Sequence, residues 1–348
     1  MQTRARRVTL AGGAGRSVLA AASDALLPFF DTREAAQSLR GVCREFAGAV
    51  AWHAWDDGET VIMGSIAAWR ASFPRATAAN VTMWPDDLNG HRAIPVADAD
   101  FVHFEGLRFL DMDSCRLVTD AAFAHLKGIR CLYICGCDQI GLTDAAFANL
   151  MGIHTLNMRF CNQATISDAA FANLKGIHTL DITGCTQATI TDTAFANLKG
   201  IHTLYMGGCN QAAITDAAFS NLKGIHWLGI NGCNQATITD AAFANVKGIH
   251  TLYMSGCDQA TITDAAFANL KGIHTLSMND CNQATITDAA FTHLDGIQWL
   301  NMRNCRQAAI TGSTFSHLVG VKKVFMAGCR AAVKAAARAA GLRVSLRL

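Results

Sequence analysis

From Leu107 to Cys329 this chain repeats one phrase, and the spacing of that phrase leaves few folds open. Ten of the thirteen cysteines fall on a single lattice that starts at Cys115. Its first interval is 22 residues and the following eight are each 24. Regular periods of 20 to 50 residues mark solenoids, in which each repeat is one coil stacked on the next. A lattice this even is a structural register rather than a disulfide pairing scheme, and it predicts reduced thiols.

The phrase contains two kinds of local signal. In the coil that begins at Ile201, the fixed apolar positions are Ile201, Leu204, Met206, Cys209, Ile214, Ala218, Phe219 and Leu222. "IHTLYM" alternates as a half-buried strand does. "TDAAFSNLKG" reads as a short helix: Thr215 caps its start and Asp216 favours the positive end of its dipole. Lys223 suits the negative end and Gly224 permits a left-handed exit. One coil cannot bury its own apolar face, whereas stacked coils with parallel strands about 4.8 Å apart can. The expected fold is therefore an α/β solenoid, with parallel strands on the concave face and short helices on the convex face.

These residues follow the pattern L-x-x-L-x-L-x-x-N/C-x-L, and the chain resembles the leucine-rich repeat proteins, specifically their cysteine-containing subclass. The first coil, "LRFLDMDSCRLVTD", carries the subclass ending C-x-x-I-T-D as Cys115, Val118, Thr119 and Asp120. Later coils insert two residues, as in "CNQATITD". About ten coils are expected over 107–329. Degenerate capping repeats are expected over 57–106, where "VADADF" echoes "ITDAAF", and a helix–strand cap over 330–348.

Three ladders of identical residues arise from the stacking. Equivalent cysteines on in-register strands point in parallel, so they do not converge on a metal ion, and none is expected. Buried thiols bonded weakly to loop carbonyls are expected instead. Cys131 and Cys135 lie about 13 Å apart if their segment is a strand, too far to share an ion. His154, His178, His202, His226, His250 and His274 form a second column of stacked, solvated imidazoles. Gln139, Gln163, Gln187, Gln211, Gln235, Gln259, Gln283 and Gln307 form a third, expected to be an amide ladder that satisfies buried polar groups.

What varies from coil to coil is the outward side of each strand. Tyr205, Trp227 and Tyr253 fall on three adjacent strands, and Gly229 leaves space beside them. Trp299, Arg303 and Phe325 form a second group, with Lys322 and Lys323 nearby; Arg159 and Asp181 occupy outward positions in earlier coils. Tyrosine, tryptophan and arginine are the usual anchors of protein interfaces. These eight residues are the candidate client-binding set on the concave face.

Ahead of the repeats, 1–56 reads as a small helical head with apolar spacing at Leu27, Phe30, Leu39, Val42, Phe46 and Val50. "FFDTREA" and "LRGVCREF" resemble the later two-thirds of an F-box, although its usual leading Leu-Pro is replaced by Ser17-Val18. The resemblance implies that Leu27, Phe30, Leu39, Val42, Cys43 and Phe46 form or support a surface for the adaptor of a cullin-type ubiquitin ligase. An F-box ahead of such repeats implies a non-enzymatic substrate receptor, and the reduced thiols point to a cytoplasmic or nuclear location. The alternative is a protein-binding or self-assembling scaffold whose head only caps the solenoid. A formal net charge of +2 gives no reason to expect nucleic acid. No apolar run reaches the roughly 18 residues of a membrane helix. No nucleophile–base pattern or phosphate loop suggests an enzyme, and no cofactor is expected. The Arg-rich, acid-poor opening is compatible with a transit segment.

Overall fold

A computed structural model describes residues 27, 31–32, 38, 44–82, 95–138 and 141–346. Within them, twelve strands form one sheet whose spatial order is the chain order. They are β1 (Ala78–Asn80), β2 (Phe109–Asp111), β3 (Cys131–Tyr133), β4 (Thr155–Asn157), β5 (Thr179–Asp181) and β6 (Thr203–Tyr205), then β7 (Trp227–Gly229), β8 (Thr251–Tyr253), β9 (Thr275–Ser277), β10 (Trp299–Asn301), β11 (Lys323–Phe325) and β12 (Val344–Ser345). Every pairing is parallel and the repeats stay in register: Leu204 sits between Leu180 and Leu228, and Tyr205 between Asp181 and Gly229. The sheet curves without closing, the architecture of a leucine-rich repeat solenoid.

The strands are only three residues long because one inward leucine is all each coil inserts. Leu132, Leu156, Leu180, Leu204, Leu228 and Leu252 are fully buried in one continuous core with the phenylalanines of the opposite wall. Those phenylalanines end helices shorter than the sequence suggests. Asp216–Phe219 is one turn, capped by the Thr215 hydroxyl, which accepts from the Ala217 N–H. The chain then passes through a tight turn, so Lys223 lies beyond the helix and has no role at its dipole.

The cysteine ladder has the expected form. Each lattice thiol donates to a main-chain carbonyl of the preceding coil, as Cys209 does to Ile182 at 3.2 Å and Cys233 to Met206 at 3.1 Å. No disulfide joins the described cysteines. Burial pushes the Cys185 and Cys233 thiols up to about 12, so they remain protonated.

The glutamine ladder differs from expectation. From Gln163 to Gln259 each amide reaches across to main chain rather than to the next amide: Gln187 Nε2 donates to Cys161 O at 3.0 Å and Gln235 Nε2 to Cys209 O at 2.9 Å, while the amide nitrogens of Gln283 and Gln307 have no partner among the described residues. A side chain that spans the two-residue insertion meets the carbonyl of the coil before it, which prevents amide-to-amide bonding. The side-chain oxygens of Gln163, Gln187, Gln211, Gln235 and Gln259 have no hydrogen-bond partner among the described residues. Gln139 lies outside those residues.

A fourth ladder joins the coils. The aspartate that opens each helix accepts two hydrogen bonds from the capping residue of the next coil. Asp216 Oδ1 takes the Thr239 N–H at 2.7 Å and Oδ2 takes the Thr239 hydroxyl at 2.6 Å. The same pair of bonds recurs from Asp98, which receives Thr119, through Asp264, which receives Thr287.

Before the sheet, helices Arg44–Trp52 and Ile66–Ser72 surround a small core of Leu27, Val50, Trp55, Phe73 and Ala76. Leu27 is thus an internal support rather than a displayed contact. Phe30, Leu39, Val42 and Cys43 lie outside the described residues, and Phe46 lies on helix Arg44–Trp52. After β11, helix Ala331–Ala339 buries Val333 and Ala337 against the last coil, and β12 ends the sheet.

Candidate binding face

Each strand presents its first and third residues outward and its second inward, so the concave surface is a grid set by the parallel register. On that grid β6, β7 and β8 bring Tyr205, Trp227 and Tyr253 together. The Trp227 ring lies 3.9 Å from that of Tyr205 and 4.9 Å from that of Tyr253, tilted about 45° to each. Gly229 makes this possible: a Cβ there would stand 3.0 Å from the Trp227 ring and 3.6 Å from Tyr205. The indole lies over the glycine, and the three rings form one continuous apolar step.

This step borders an open trough of about 820 Å³ that also contains Arg159 and Asp181. Glycines at 207 and 208 leave its floor close to bare main chain. Asp181 Oδ1 accepts from the Thr183 N–H at 2.9 Å, while Oδ2 stands 3.9 Å from Arg159 Nε. Burial raises the Asp181 carboxyl above its ordinary range against that favourable neighbour. Upstream, Asp113 accepts from the Cys135 N–H at 2.7 Å, and burial with Asp111 beside it pushes Asp113 up to about 6.

Five of the eight candidate residues therefore share one site. The other three make a separate group near the far end. The Trp299 and Phe325 rings stack 6.5 Å apart, and the Arg303 guanidinium and Lys323 ammonium sit 5.0 and 4.6 Å from the Phe325 ring centre. Ser255, Ser277 and Asn279, hydrogen-bonded to one another, separate the two groups.

Sequence reasoning missed Phe160. It occupies a turn position where most coils have glycine, with φ of 56°, and its ring covers Gly184 at the rim of the trough. A left-handed conformation costs a bulky L-residue roughly 1–2 kcal/mol. An aromatic written into a glycine column was the available signal. Arg159 places its guanidinium 5.5 Å from this ring. Nothing in the trough converges like a metal site, since no group of three or more His, Cys, Asp or Glu among the described residues is placed to hold an ion. What the arrangement offers is a contact surface: aromatic area, one loosely held ion pair and a bare floor.

A family model for BspA type leucine rich repeat regions matches six copies, over residues 112–226 and 188–322. No curated protein matches the chain. Among solved structures, it is similar to a chain of the Toll–Spatzle complex of Drosophila, at 14% identity and a TM-score of 0.57. That match covers 79% of this chain and 38% of the other. An internalin of Listeria monocytogenes is 20% identical with a TM-score of 0.56, covering 74% of this chain and 69% of the other. A chain of a TLR13–ssRNA13 complex is 18% identical with a TM-score of 0.59, covering 74% and 37%. The chain thus spans well under half of the matched chains of the Toll–Spatzle and TLR13–ssRNA13 complexes. At these identities the likeness is one of fold.

Proposed function

Because the chain belongs to the BspA-type leucine-rich repeat family, we propose that it is a protein-recognition module that holds a client in the concave trough. The observation that carries this reading is the Tyr205–Trp227–Tyr253 step, three rings in contact on an otherwise repetitive scaffold and seated over a glycine. Exposed aromatic area of this kind marks contact sites, and buried aromatic anchors dominate interface energies. The structural relatives include complexes with other macromolecules, which agrees with a binding role. Binding is tested with a client recovered by pull-down. Trp227→Ala is expected to weaken affinity by about 2 kcal/mol or more, roughly thirtyfold. Lys223→Ala, off the concave face, is expected to change it little; a larger loss from the lysine overturns the reading.

The finer form of the proposal is a non-catalytic substrate receptor of a cullin-type ubiquitin ligase, cytoplasmic or nuclear, with the head on the adaptor. Its support is the F-box-like sequence around "LRGVCREF". Leu39→Asp with Val42→Asp should then abolish adaptor co-purification while the repeats stay folded. Wild-type protein that never retains an adaptor leaves the coarser reading, a recognition scaffold whose head caps the solenoid.

A further inference from the structure

The turns that lead into the strands build a second surface, on the edge of the solenoid. In six coils Leu-Lys-Gly-Ile, or Val-Lys-Gly-Ile at 246–249, forms a tight turn. Ile129 N–H donates to Leu126 O at 3.0 Å, with Lys127 at φ −57° and ψ 126° and Gly128 at φ 84°. These are type II turn angles, which place a left-handed residue third. The turn buries leucine and isoleucine and directs the lysine outward. Stacking makes a column of Lys127, Lys175, Lys199, Lys223, Lys247 and Lys271, every one exposed. None is in an ion pair among the described residues. Met151 interrupts the column between Lys127 and Lys175, and Glu105, Asp295 and Val319 hold the equivalent place toward the ends.

Three residues further on runs a parallel column. Main-chain hydrogen bonds tie Arg130 to Arg108, His154 to Arg130, each histidine to the one before it, and Lys322 to Gln298. The six imidazoles stack 4.4 to 4.7 Å apart, within 12° to 22° of parallel. The helix-opening aspartates face the threonines of the next coil, in a different part of each repeat. A net charge of +2 is therefore a sum over segregated columns, not a description of this edge.

We propose that this edge binds a linear phosphate polymer, inorganic polyphosphate, and binds it more tightly as the histidines protonate. Between Lys127 and Lys271 the outward turn residues offer charge, broken only at Met151. Binders of unpaired nucleic acid stack bases on open aromatic faces, whereas these imidazole faces are turned to one another. Duplex DNA, with a persistence length of about 50 nm, cannot follow the columns of a curved sheet without a bending cost. A flexible chain bearing one anion per unit can. Each imidazole meets its histidine neighbours and, except at His226, which Trp227 follows, the hydroxyl of its own threonine, as His202 Nδ1 does Thr203 Oγ1 at 3.1 Å. Arg130 stands at one end of the histidine run and Gln298 at the other, the lysines lie in the same turns, and Asp295 is in the turn before Gln298. Slight burial and the flanking histidines lower His178 and His250 below the ordinary range, so neighbouring imidazoliums oppose one another. An anion laid along the column relieves that repulsion, which couples binding to protonation.

The test is equilibrium binding of labelled polyphosphate to the full chain at fixed salt, at pH 7.5 and 5.5, with heparin and single-stranded DNA of equal charge as competitors. Affinity is expected to rise about tenfold on acidification, in line with the added charges. Lys199→Glu with Lys223→Glu and Lys247→Glu should weaken binding at pH 7.5 by about tenfold or more. Replacing His154, His178, His202, His226, His250 and His274 by glutamine, which the column already contains at 298, should abolish the pH dependence and leave pH 7.5 binding intact. Circular dichroism identifies any variant that fails to fold. Affinity unmoved by the lysine reversals overturns the surface, and tighter binding of heparin or DNA overturns the ligand. Neither result bears on the concave trough, which Trp227→Ala tests separately.

Discussion

A carboxyl group half-buried beside another carboxyl ionises reluctantly, and Asp113 is in that position. It is raised from the ordinary 3.8 to about 6, by burial first and then by Asp111. A folded-state value above the unfolded one favours the protonated form. Its contribution is therefore fully present below about pH 4 and is lost as pH rises through 6. Asp113→Asn keeps the acceptor for the Cys135 N–H and removes the charge. It is expected to stabilise the protein at pH 7.5 by about 1 kcal/mol, allowing for partial exposure, and to have no such effect at pH 4. Urea titrations at the two pH values check this, and an equal effect at both would contradict it. Cys209→Ser exchanges a buried thiol for a hydroxyl that is costlier to bury and needs a shorter bond than the 3.2 Å available. A loss of about 1–3 kcal/mol is expected, with no change in melting temperature on adding a chelator. Residues at this scale were legible where they broke the repeat by chemistry, as Trp227 does in a threonine column. Phe160 breaks a glycine column as visibly, but what that break means shows only once the column is known to be left-handed.

At the scale of the element, the periodicity identified strand and helix correctly and misjudged how the helix is held. A pattern read within one coil assigns Asp216 to its own helix dipole. Its two hydrogen-bonding partners lie in the next coil, 23 residues on, at the main chain and hydroxyl of Thr239. The capping threonine thus serves its own helix with one lone pair and the preceding coil with its proton. Asp216→Ala should cost about 2 kcal/mol by leaving both donors without their charged acceptor, and Asp216→Asn about half that. Chemical denaturation measures both; equal losses for the two variants would show that charge plays no part. The glutamine column was misread for a related reason, since the two-residue insertion sets a reach that no single coil reveals.

At the scale of the molecule, the fold was readable because one period governs most of the chain. The site was readable only in outline, since which outward residues share a trough depends on the curvature of the whole sheet. The same regularity has a mechanical consequence. The coils are joined in series by Asp–Thr pairs, thiol–carbonyl contacts and parallel strands of equal length. Pulled from its two ends, the molecule has no strongest clasp to hold the rest. It should behave as a spring of near-identical links that give way one after another, starting from the ends, where each coil has a single neighbour. Each rupture frees 24 residues, or about 80 Å of chain at 3.3–3.6 Å per residue. Single-molecule stretching is expected to show a train of evenly spaced, similarly weak rips; one large cooperative rip would show that the links act as a single block.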